Sequence, residues 1–263
     1  MTGSGLQSDL DVPADIGPFH DVSCGAIAAE SAGPLETAFY GHRGRIVHKW
    51  HHYLPLYDRY FAAFRGASGS GALHPTAKLT RPVRMLEIGV SKGGSMELWR
   101  EYFGPDAILY GIDIDPACAA FDGEAGNKVR IGSQDDPAFL KRVVAEMGGI
   151  DIVLDDGSHV AKHQKESFDT LFPLLETGGL YVVEDLHTAY WREFGGGYDS
   201  KESFIATVKQ LIDDLHHWYH CGGERIGVAA GLVGGVHIHD SIAFIEKSRV
   251  ATPAHSQRGI ARG

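Results

Sequence analysis

The 263-residue chain has no cluster of lysine and arginine, and its formal net charge is −10. Non-specific binding to nucleic acids needs clustered basic side chains, so we expect no nucleic-acid partner. Cysteine is scarce, with three scattered residues, Cys24, Cys118 and Cys221. Such a set forms neither a disulfide framework nor a zinc site, which favours a reducing compartment and a cytoplasmic location.

Long apolar runs are also missing. The N-terminus lacks both a basic start and an apolar core, so we expect no signal peptide. No uninterrupted apolar stretch is long enough for a bilayer, so we expect no membrane span. The length allows one large α/β domain or one domain with appendages.

The first residues are rich in Gly, Ala, Ser, Pro and Asp, and no lysine or arginine precedes Arg43. This composition predicts a loosely ordered arm, assigned to residues 1–41. We expect a homo-oligomer, in which a partner subunit could order the arm. Residues 42–82 are interpreted as a helical extension and linker, residues 83–250 as the main domain and residues 251–263 as a tail.

The extension has apolar residues at steps of three and four, which predicts a helix from about Ile46 to Phe64. These residues are Val47, Trp50, Leu54, Tyr57 and Phe61. A Gly- and Ser-rich stretch from Gly66 to Pro82 then predicts a flexible connector.

The main domain opens with a predicted strand, Val83 to Ile88, a glycine turn and a helix from Met96 to Tyr102. This order is typical of a doubly wound nucleotide-binding fold. The dinucleotide fingerprint G-x-G-x-x-G is absent, because Gly89 and Gly93 are four residues apart and a serine stands between them at position 91. The loop therefore suits a ligand without pyrophosphate.

Polar residues follow the next two predicted strands. Asp113 ends the second strand, where it would accept hydrogen bonds from both ribose hydroxyls, whereas Asp115 better suits a helix cap. The third strand, residues 128–131, precedes Gln134 and Asp135. An adenine ring would lie at this point, and either residue could bond its amino group.

Two further apolar runs end in carboxylates, one in Asp155-Asp156-Gly-Ser-His159 and the other in Glu184-Asp185. They predict buried parallel strands that lie side by side and end at one edge of the sheet. The four acids would then converge, and oxygen ligands favour magnesium, manganese or calcium over zinc. The alternative is that these acids cap the following helices.

The remaining pattern predicts a helix from about Ala161 to Leu175, closed by glycines in residues 176–179. A loop with aromatic residues beside glycines follows at 188–198. It would act as a lid with exposed rings, or its aromatic residues would simply be tucked under the loop. One more amphipathic helix has a core stripe, formed by Phe204, Val208, Leu211, Ile212 and Leu215. Two strands, residues 236–240 and 242–247, then form an antiparallel pair.

Together these residues resemble a class I S-adenosylmethionine-dependent methyltransferase. The resemblance rests on the E-x-G-x-x-x-G loop at 87–93, Asp113 and the closing antiparallel pair. The motifs D-D-G-S-H at 155–159, E-D-L at 184–186 and Tyr190-Trp191 are similar to those of metal-dependent sugar O-methyltransferases of macrolide biosynthesis, the mycinamicin and tylosin type, and of the cephalosporin-hydroxylase-like group. The similarity covers roughly residues 42 to 248.

The resemblance implies an α/β fold, with a doubly wound Rossmann-like sheet, mostly parallel with a C-terminal antiparallel strand, plus an N-terminal helical extension. It implies transfer of a methyl group from S-adenosyl-L-methionine to a sugar hydroxyl on a natural product or glycolipid. It also implies that Asp156, Glu184 and Asp185 bind Mg²⁺ (or Mn²⁺) and that His159 is the catalytic base.

The methyl donor would have its methionine end held by Glu87 and Asp155, with backbone N–H groups near Gly89 receiving its carboxylate. The acceptor would be a small glycoside or diol in contact with Tyr190 and Trp191. All residues assigned to donor binding are Tyr53, Glu87, Gly89, Ser95, Asp113, Ser133, Gln134, Asp135 and Asp155.

Three alternatives stay open. The acceptor could be a catechol or another non-sugar diol, which would also chelate the metal. The fold could carry a nicotinamide-dependent oxidoreductase, although the missing fingerprint disfavours it. A scaffold without activity is the third, since a fold alone never proves activity.

Overall fold

The computed structural model describes residues 33–65, 81–222 and 226–259. Within these ranges the strands are β1 Arg84–Ile88, β2 Ile108–Asp113, β3 Lys128–Ile131, β4 Ile150–Asp155, β5 Leu175–Val183, β6 Val233–His239 and β7 Ile242–Lys247. The α-helices are α1 Pro34–Gly41, α2 Leu54–Phe61, α3 Gly94–Phe103, α4 Pro137–Met147, α5 Ala161–Leu171 and α6 Phe204–Leu215. The first 32 residues of the predicted arm and residues 66–80 of the predicted connector lie outside the described residues.

The seven strands form one sheet in the order β3-β2-β1-β4-β5-β7-β6. The first five are parallel, and β7 runs antiparallel to both β5 and β6. This confirms the predicted mostly parallel, doubly wound sheet with a C-terminal antiparallel strand. The strand order reverses between β1 and β4, and in such sheets ligands bind outside the carboxyl ends at that point.

Each face of the sheet carries its own hydrophobic cluster. Leu140, Phe168 and Phe204 bring α4, α5 and α6 onto one face. On the other face, Tyr57 of α2 packs with Trp99 of α3, and Leu35 brings in α1. Burying a large apolar side chain contributes about 1.5–3 kcal/mol, so the N-terminal extension is held firmly on the sheet.

The extension differs from the single helix that its periodicity predicts. Residues 46–50 have no regular structure, and a 3₁₀ turn at His51–Tyr53 leads into α2. The reason is that this segment passes close to the start of α3. A Cβ atom at Gly94 would lie 2.3 Å from the Ile46 carbonyl oxygen, and the Arg45 N–H donates to Glu97 Oε2 at 2.9 Å. This contact with the start of α3 keeps residues 46–50 out of a helix.

The predicted arm is also too long at its C-terminal side. Residues 34–41 form α1, in which Leu35 is fully buried and its N–H donates to Asp58 Oδ1 at 3.0 Å. A buried leucine with a satisfied backbone donor belongs to the folded core, so this part of the arm is ordered.

The predicted end of α5 is wrong. The helix stops at Leu171, a 3₁₀ turn covers Phe172–Leu174, and residues 175–179 already belong to β5. Pro173 explains the stop, because proline has no N–H to continue the helix and its ring clashes with the preceding turn. Lys247 Nζ then donates to the carbonyl oxygens of Pro173 and Leu175, at 2.6 Å each.

The stripe predicted for α6 is correct except at one position. Phe204, Val208 and Leu211 are buried, and Leu215 packs against the same cluster, but Ile212 is 46% exposed. The final strand pair forms as predicted. No helix within the described ranges is long and apolar enough to cross a membrane.

Candidate active site

The carboxyl ends of three neighbouring strands, β1, β4 and β5, lie level with one another. Ile88 of β1 pairs with Asp155 of β4, and Asp155 pairs with Val183 of β5. Asp156 and Glu184 therefore leave the sheet side by side, as predicted from the two acidic runs. The grouping of acids at this edge is a consequence of strand register.

Asp156, Asp185 and His159 meet in one cluster. His159 Nε2 lies 3.7 Å from Asp185 Oδ2 and 4.0 Å from Asp156 Oδ1. One ligand atom from each of these residues can be chosen so that all lie within 4.8 Å of one another. His159 and Asp185 also have positive φ, 56° and 55°, a conformation that costs non-glycine residues about 1 kcal/mol or more and that gathers at functional sites.

Glu184 is held slightly apart from that cluster by two side chains of the N-terminal extension. Its Oε1 accepts hydrogen bonds from Lys49 Nζ at 2.7 Å and from the Tyr57 hydroxyl. Burial raises the pKa of Glu184, the Asp156 carboxylate raises it further, and Lys49 opposes both. The Glu184 carboxylate is therefore paired with the buried ammonium group of Lys49.

The extension also contacts the other two acids. Lys49 Nζ lies 2.5 Å from Asp156 Oδ2, and the Trp50 indole N–H donates to Asp185 Oδ1 at 3.0 Å. The Tyr53 hydroxyl donates to the same Asp185 oxygen at 3.0 Å. Tyr53, predicted to bind the donor, is thus placed on the acidic cluster. Lys49 was noticeable in the sequence only as a polar residue in a helical pattern.

Burial would by itself lower the pKa of Lys49, but the carboxylates of Asp156 and Glu184 raise it well above its usual value. The Lys49 side chain is 1% exposed and is charged at neutral pH. One positive charge is therefore built into the acidic edge.

A cavity of about 220 Å³ lies beside the cluster, at the reversal of strand order. Among the predicted donor-binding residues, Gly89, Asp113, Ser133 and Gln134 line it. Asp156 lines it as well, so this carboxylate belongs to both the cavity and the acidic cluster.

His163 also lines the cavity and was not predicted. Its Nε2 lies 3.4 Å from Asp135 Oδ2, and its Nδ1 lies 2.9 Å from Ser158 Oγ. Asp135 accepts a hydrogen bond from Ser133 and so stands next to the cavity wall. The signal in the sequence was the position of His163 in the first turn of the helix that follows the D-D-G-S-H motif.

The glycine loop is shaped by contacts within the protein. Gly89 has φ +96°, and a Cβ atom there would lie 2.1 Å from the carbonyl oxygen of Asp156. The Gly89 N–H donates to the Ile112 carbonyl at 2.9 Å, and those of Val90 and Ser91 donate to Asp113 Oδ2 at 2.9 Å. These three N–H groups therefore have partners within the protein, and the contact of the loop with a donor carboxylate stays a prediction.

Both carboxylate oxygens of Asp113 accept hydrogen bonds from backbone N–H groups of the protein. Besides the two loop N–H groups, its Oδ1 accepts the Asp115 N–H at 2.9 Å. Asp115 in turn caps the following 3₁₀ turn through Ala117 N, as its alternative assignment predicted. Asp113 thus joins the glycine loop to the end of β2, and its contact with a ribose stays a prediction.

Asp155 is not among the residues that line the cavity, and its predicted contact with the methionine end of the donor stays a prediction. It is fully buried and accepts hydrogen bonds from Ser167 Oγ at 2.7 Å, Gln134 Nε2 at 3.1 Å and the Tyr181 hydroxyl at 3.3 Å. Burial raises its pKa to about 6, while the Ser167 and Gln134 hydrogen bonds lower it. Gln134 then accepts the Ser158 N–H at 2.7 Å, so Asp155 positions the D-D-G-S-H turn.

Glu87 and Ser95 are likewise directed at each other. Glu87 is 1% exposed and accepts hydrogen bonds from Ser95 Oγ at 2.8 Å and Trp99 Nε1 at 3.0 Å. Neither residue lines the cavity. They form a buried link between β1 and α3, and their contact with the donor stays a prediction.

Aromatic rings continue from the acidic cluster into the predicted lid. Phe194 lies 6.3 Å from the His159 ring, and Trp191 lies 5.9 Å from Phe194 and 5.0 Å from His187, measured between ring centroids. Tyr190 is 49% exposed, whereas Trp191 is half-buried. The lid thus offers apolar rings beside His159, and acceptor contact by Tyr190 and Trp191 stays a prediction.

Comparison with known proteins fits this geometry. Residues 86–186 match a family model described as a methyltransferase domain. The chain is 40% identical over 212 residues to the 8-demethyl-8-(2-methoxy-alpha-L-rhamnosyl)-tetracenomycin-C 3'-O-methyltransferase of Streptomyces olivaceus, covering 76% of this chain and 50% of that protein. It is 38% identical over 217 residues to the demethylmacrocin O-methyltransferase of Streptomyces fradiae, covering 77% and 51%.

A similar solved structure is the MycE methyltransferase from the mycinamycin biosynthetic pathway, in complex with Mg, SAH and mycinamycin VI. It is 33% identical, has a TM-score of 0.67, and the alignment covers 83% of this chain and 54% of that one. The chain thus spans about half the length of these relatives.

The strand order and the match over residues 86–186 give the chain a methyltransferase domain similar to those of the class I S-adenosylmethionine-dependent enzymes. Within that class, the chain resembles the metal-dependent O-methyltransferases of macrolide and related antibiotic sugars, as its motifs predicted.

Proposed function

We propose that this protein transfers a methyl group from S-adenosylmethionine to a hydroxyl of a sugar carried by a natural product, with the help of Mg²⁺ or Mn²⁺. The observation that carries the proposal is the double position of Asp156. Its carboxylate lines the cavity at the strand reversal and also belongs to the cluster with His159 and Asp185. A donor in the cavity and an acceptor at the cluster would therefore be neighbours.

The acidic edge fits a hard divalent cation. Asp156, Glu184 and Asp185 provide carboxylate oxygens only, which suit Mg²⁺ and Mn²⁺. These three residues would hold the ion, after adjustment of the Lys49 contact. When bound, the ion supplies positive charge that lowers the pKa of an acceptor hydroxyl and helps to orient it.

His159 is proposed as the general base. Its Nε2 faces the carboxylates, while its Nδ1 is buried and has no hydrogen-bond partner within the described part of the chain. Nε2 is therefore the atom that would take the hydroxyl proton, and base assistance typically contributes about 10²–10⁴-fold. Holding acceptor and donor in line would contribute more than base assistance.

A sugar acceptor is favoured over other diols by the relatives, which are named as methyltransferases of rhamnosyl and macrolide substrates. The rings of Trp191 and Phe194 next to His159 suit the apolar face of a sugar. The alignment covers only about half of this relative, so the identity of the glycoside belongs to the proposal. A homo-oligomer and a cytoplasmic location stay predictions.

The test is a methyl-transfer assay on the purified chain with S-adenosylmethionine, Mg²⁺ and two glycosides, rhamnosyl tetracenomycin C and mycinamycin VI. Mass spectrometry would detect a product with one added methyl group. Turnover should disappear with chelator, and His159→Ala should lower it by about 10²–10⁴-fold. His216→Ala, at an exposed histidine after α6, serves as the matched control. Wild-type turnover by His159→Ala and Asp156→Ala with chelator present would overturn the proposal.

A further inference from the structure

Lys49 lies in the middle of the proposed metal site. Its Nζ is 2.5 Å from Asp156 Oδ2 and 2.7 Å from Glu184 Oε1, and its side chain is 1% exposed. A buried ammonium group is stable only with such partners. The same two carboxylates are proposed ligands of the divalent ion, so one lysine and one metal ion depend on the same oxygens.

The geometry leaves little room for both cations. A magnesium ion binds its oxygen ligands at about 2.0–2.1 Å, which is shorter than either lysine contact. An ion shared by Asp156 and Glu184 would draw their oxygens together across the position of Nζ. Glu184 also falls outside the compact group of Asp156, His159 and Asp185, because Lys49 and Tyr57 hold its carboxylate.

Electrostatics points in the same direction. A lysine charge and a divalent ion between the same carboxylates would repel each other strongly in a buried site. Withdrawal of the ammonium group from the two acids would remove this repulsion.

We propose that Lys49 and the divalent cation are alternative partners of Asp156 and Glu184, so that Lys49 withdraws when the ion binds. Lys49 is a positioning residue, because it keeps the carboxylates together before the ion arrives and weakens the affinity for the ion. The inference rests on the proposed metal-dependent function.

The experiment measures Mn²⁺ binding to the full chain by isothermal titration calorimetry, together with the melting temperature in chelator and in saturating Mn²⁺. Lys49→Met should lower the Kd for Mn²⁺ by about tenfold or more, because no ammonium has to be displaced. It should also lower the melting temperature in chelator, where Asp156 and Glu184 lose their counter-charge, and increase the rise in melting temperature on adding Mn²⁺. Lys209→Met, at an exposed lysine 3.5 Å from Asp199, should match wild type and is the control.

A lysine with a purely structural role would behave differently. Its replacement would lower the melting temperature equally with and without Mn²⁺, and the Kd would stay unchanged or rise. That result overturns the inference. Lys49→Gln, which removes the charge and keeps polar contacts, gives the same test should Lys49→Met fail to fold.

The inference and the proposed function fail in different ways. Wild-type protein that binds Mn²⁺, loses binding on Asp156→Asn and shows the same Kd after Lys49→Met would refute the inference alone. Wild-type protein without any Mn²⁺ binding that depends on Asp156 would refute the metal site, and the inference with it.

Discussion

Replacing Glu87 by glutamine tests the buried polar link between β1 and α3. The Glu87 carboxylate is 1% exposed and bonded to Ser95 and Trp99. Burial raises its pKa from the usual 4.5 to about 7, although the Lys49 charge and the two hydrogen bonds lower it. Glutamine has nearly the same shape, can accept from Trp99 and donate to Ser95, and carries no charge.

The magnitude follows from the two pKa values. The folded protein holds the Glu87 proton more tightly than the unfolded chain, so this residue's favourable contribution is complete below pH 4.5 and is lost as the pH rises to about 7. Because a tenfold change in proton affinity corresponds to about 1.4 kcal/mol, ionised Glu87 reduces the free energy of unfolding by about 3 kcal/mol above pH 7. Glu87→Gln avoids this reduction.

The assay is urea unfolding followed by tryptophan fluorescence, with chelator present, near pH 4.5 and near pH 8. The difference in free energy of unfolding between Glu87→Gln and wild type should increase, in favour of the variant, by about 3 kcal/mol from pH 4.5 to pH 8. Glu101→Gln, on the exposed side of α3, should show no such change and is the control. If the difference between Glu87→Gln and wild type were the same at both pH values, Glu87 would have an ordinary pKa and the reasoning from burial would be refuted.

Three further substitutions test the site. Gly89→Ala places a Cβ atom 2.1 Å from the Asp156 carbonyl at φ +96°, so we expect a loss of about 2–4 kcal/mol in urea unfolding; a loss below about 1 kcal/mol would contradict this. Asp155→Asn turns an amide N–H₂ toward one of three hydrogen-bond donors, so thermal unfolding should report a loss of about 1–3 kcal/mol, and unchanged stability would refute the hydrogen-bond network. Trp191→Ala should raise KM for the glycoside by about tenfold with kcat nearly unchanged, whereas an unchanged KM would exclude acceptor contact.

Local patterns in the sequence predicted the elements that depend on neighbouring residues. The strand Lys128–Ile131 forms with the predicted bounds. The next element, the helix Pro137–Met147, is capped locally by Asp136, which accepts from the N–H groups of Ala138 and Phe139. Residues 46–50 were predicted wrongly, because their apolar spacing suits a helix while their contact with Gly94 prevents one. Periodicity cannot detect a contact between segments so far apart in the chain.

In the candidate site, too, local patterns predicted some features, while contacts between distant segments decided others. Runs of apolar residues that end in acids were enough to predict that Asp156 and Asp185 meet with His159. They were not enough to predict the partners of Asp155, because Ser167 and Gln134 belong to other segments of the chain. Asp155 accepts hydrogen bonds from these two residues, while its neighbour Asp156 lines the cavity.

The sequence by itself determined the sheet class, the edge at which the acids gather and the methyltransferase resemblance, because these depend on hydrophobic period and on motifs of a few residues. Only the tertiary structure decided that Lys49 lies between Asp156 and Glu184, which are 107 and 135 residues away along the chain. That contact results from packing α2 against the sheet, where Leu54, Tyr57 and Phe61 become fully buried. The burial energy of those residues holds the preceding segment, and its lysine, at the edge of strands encoded much later in the chain.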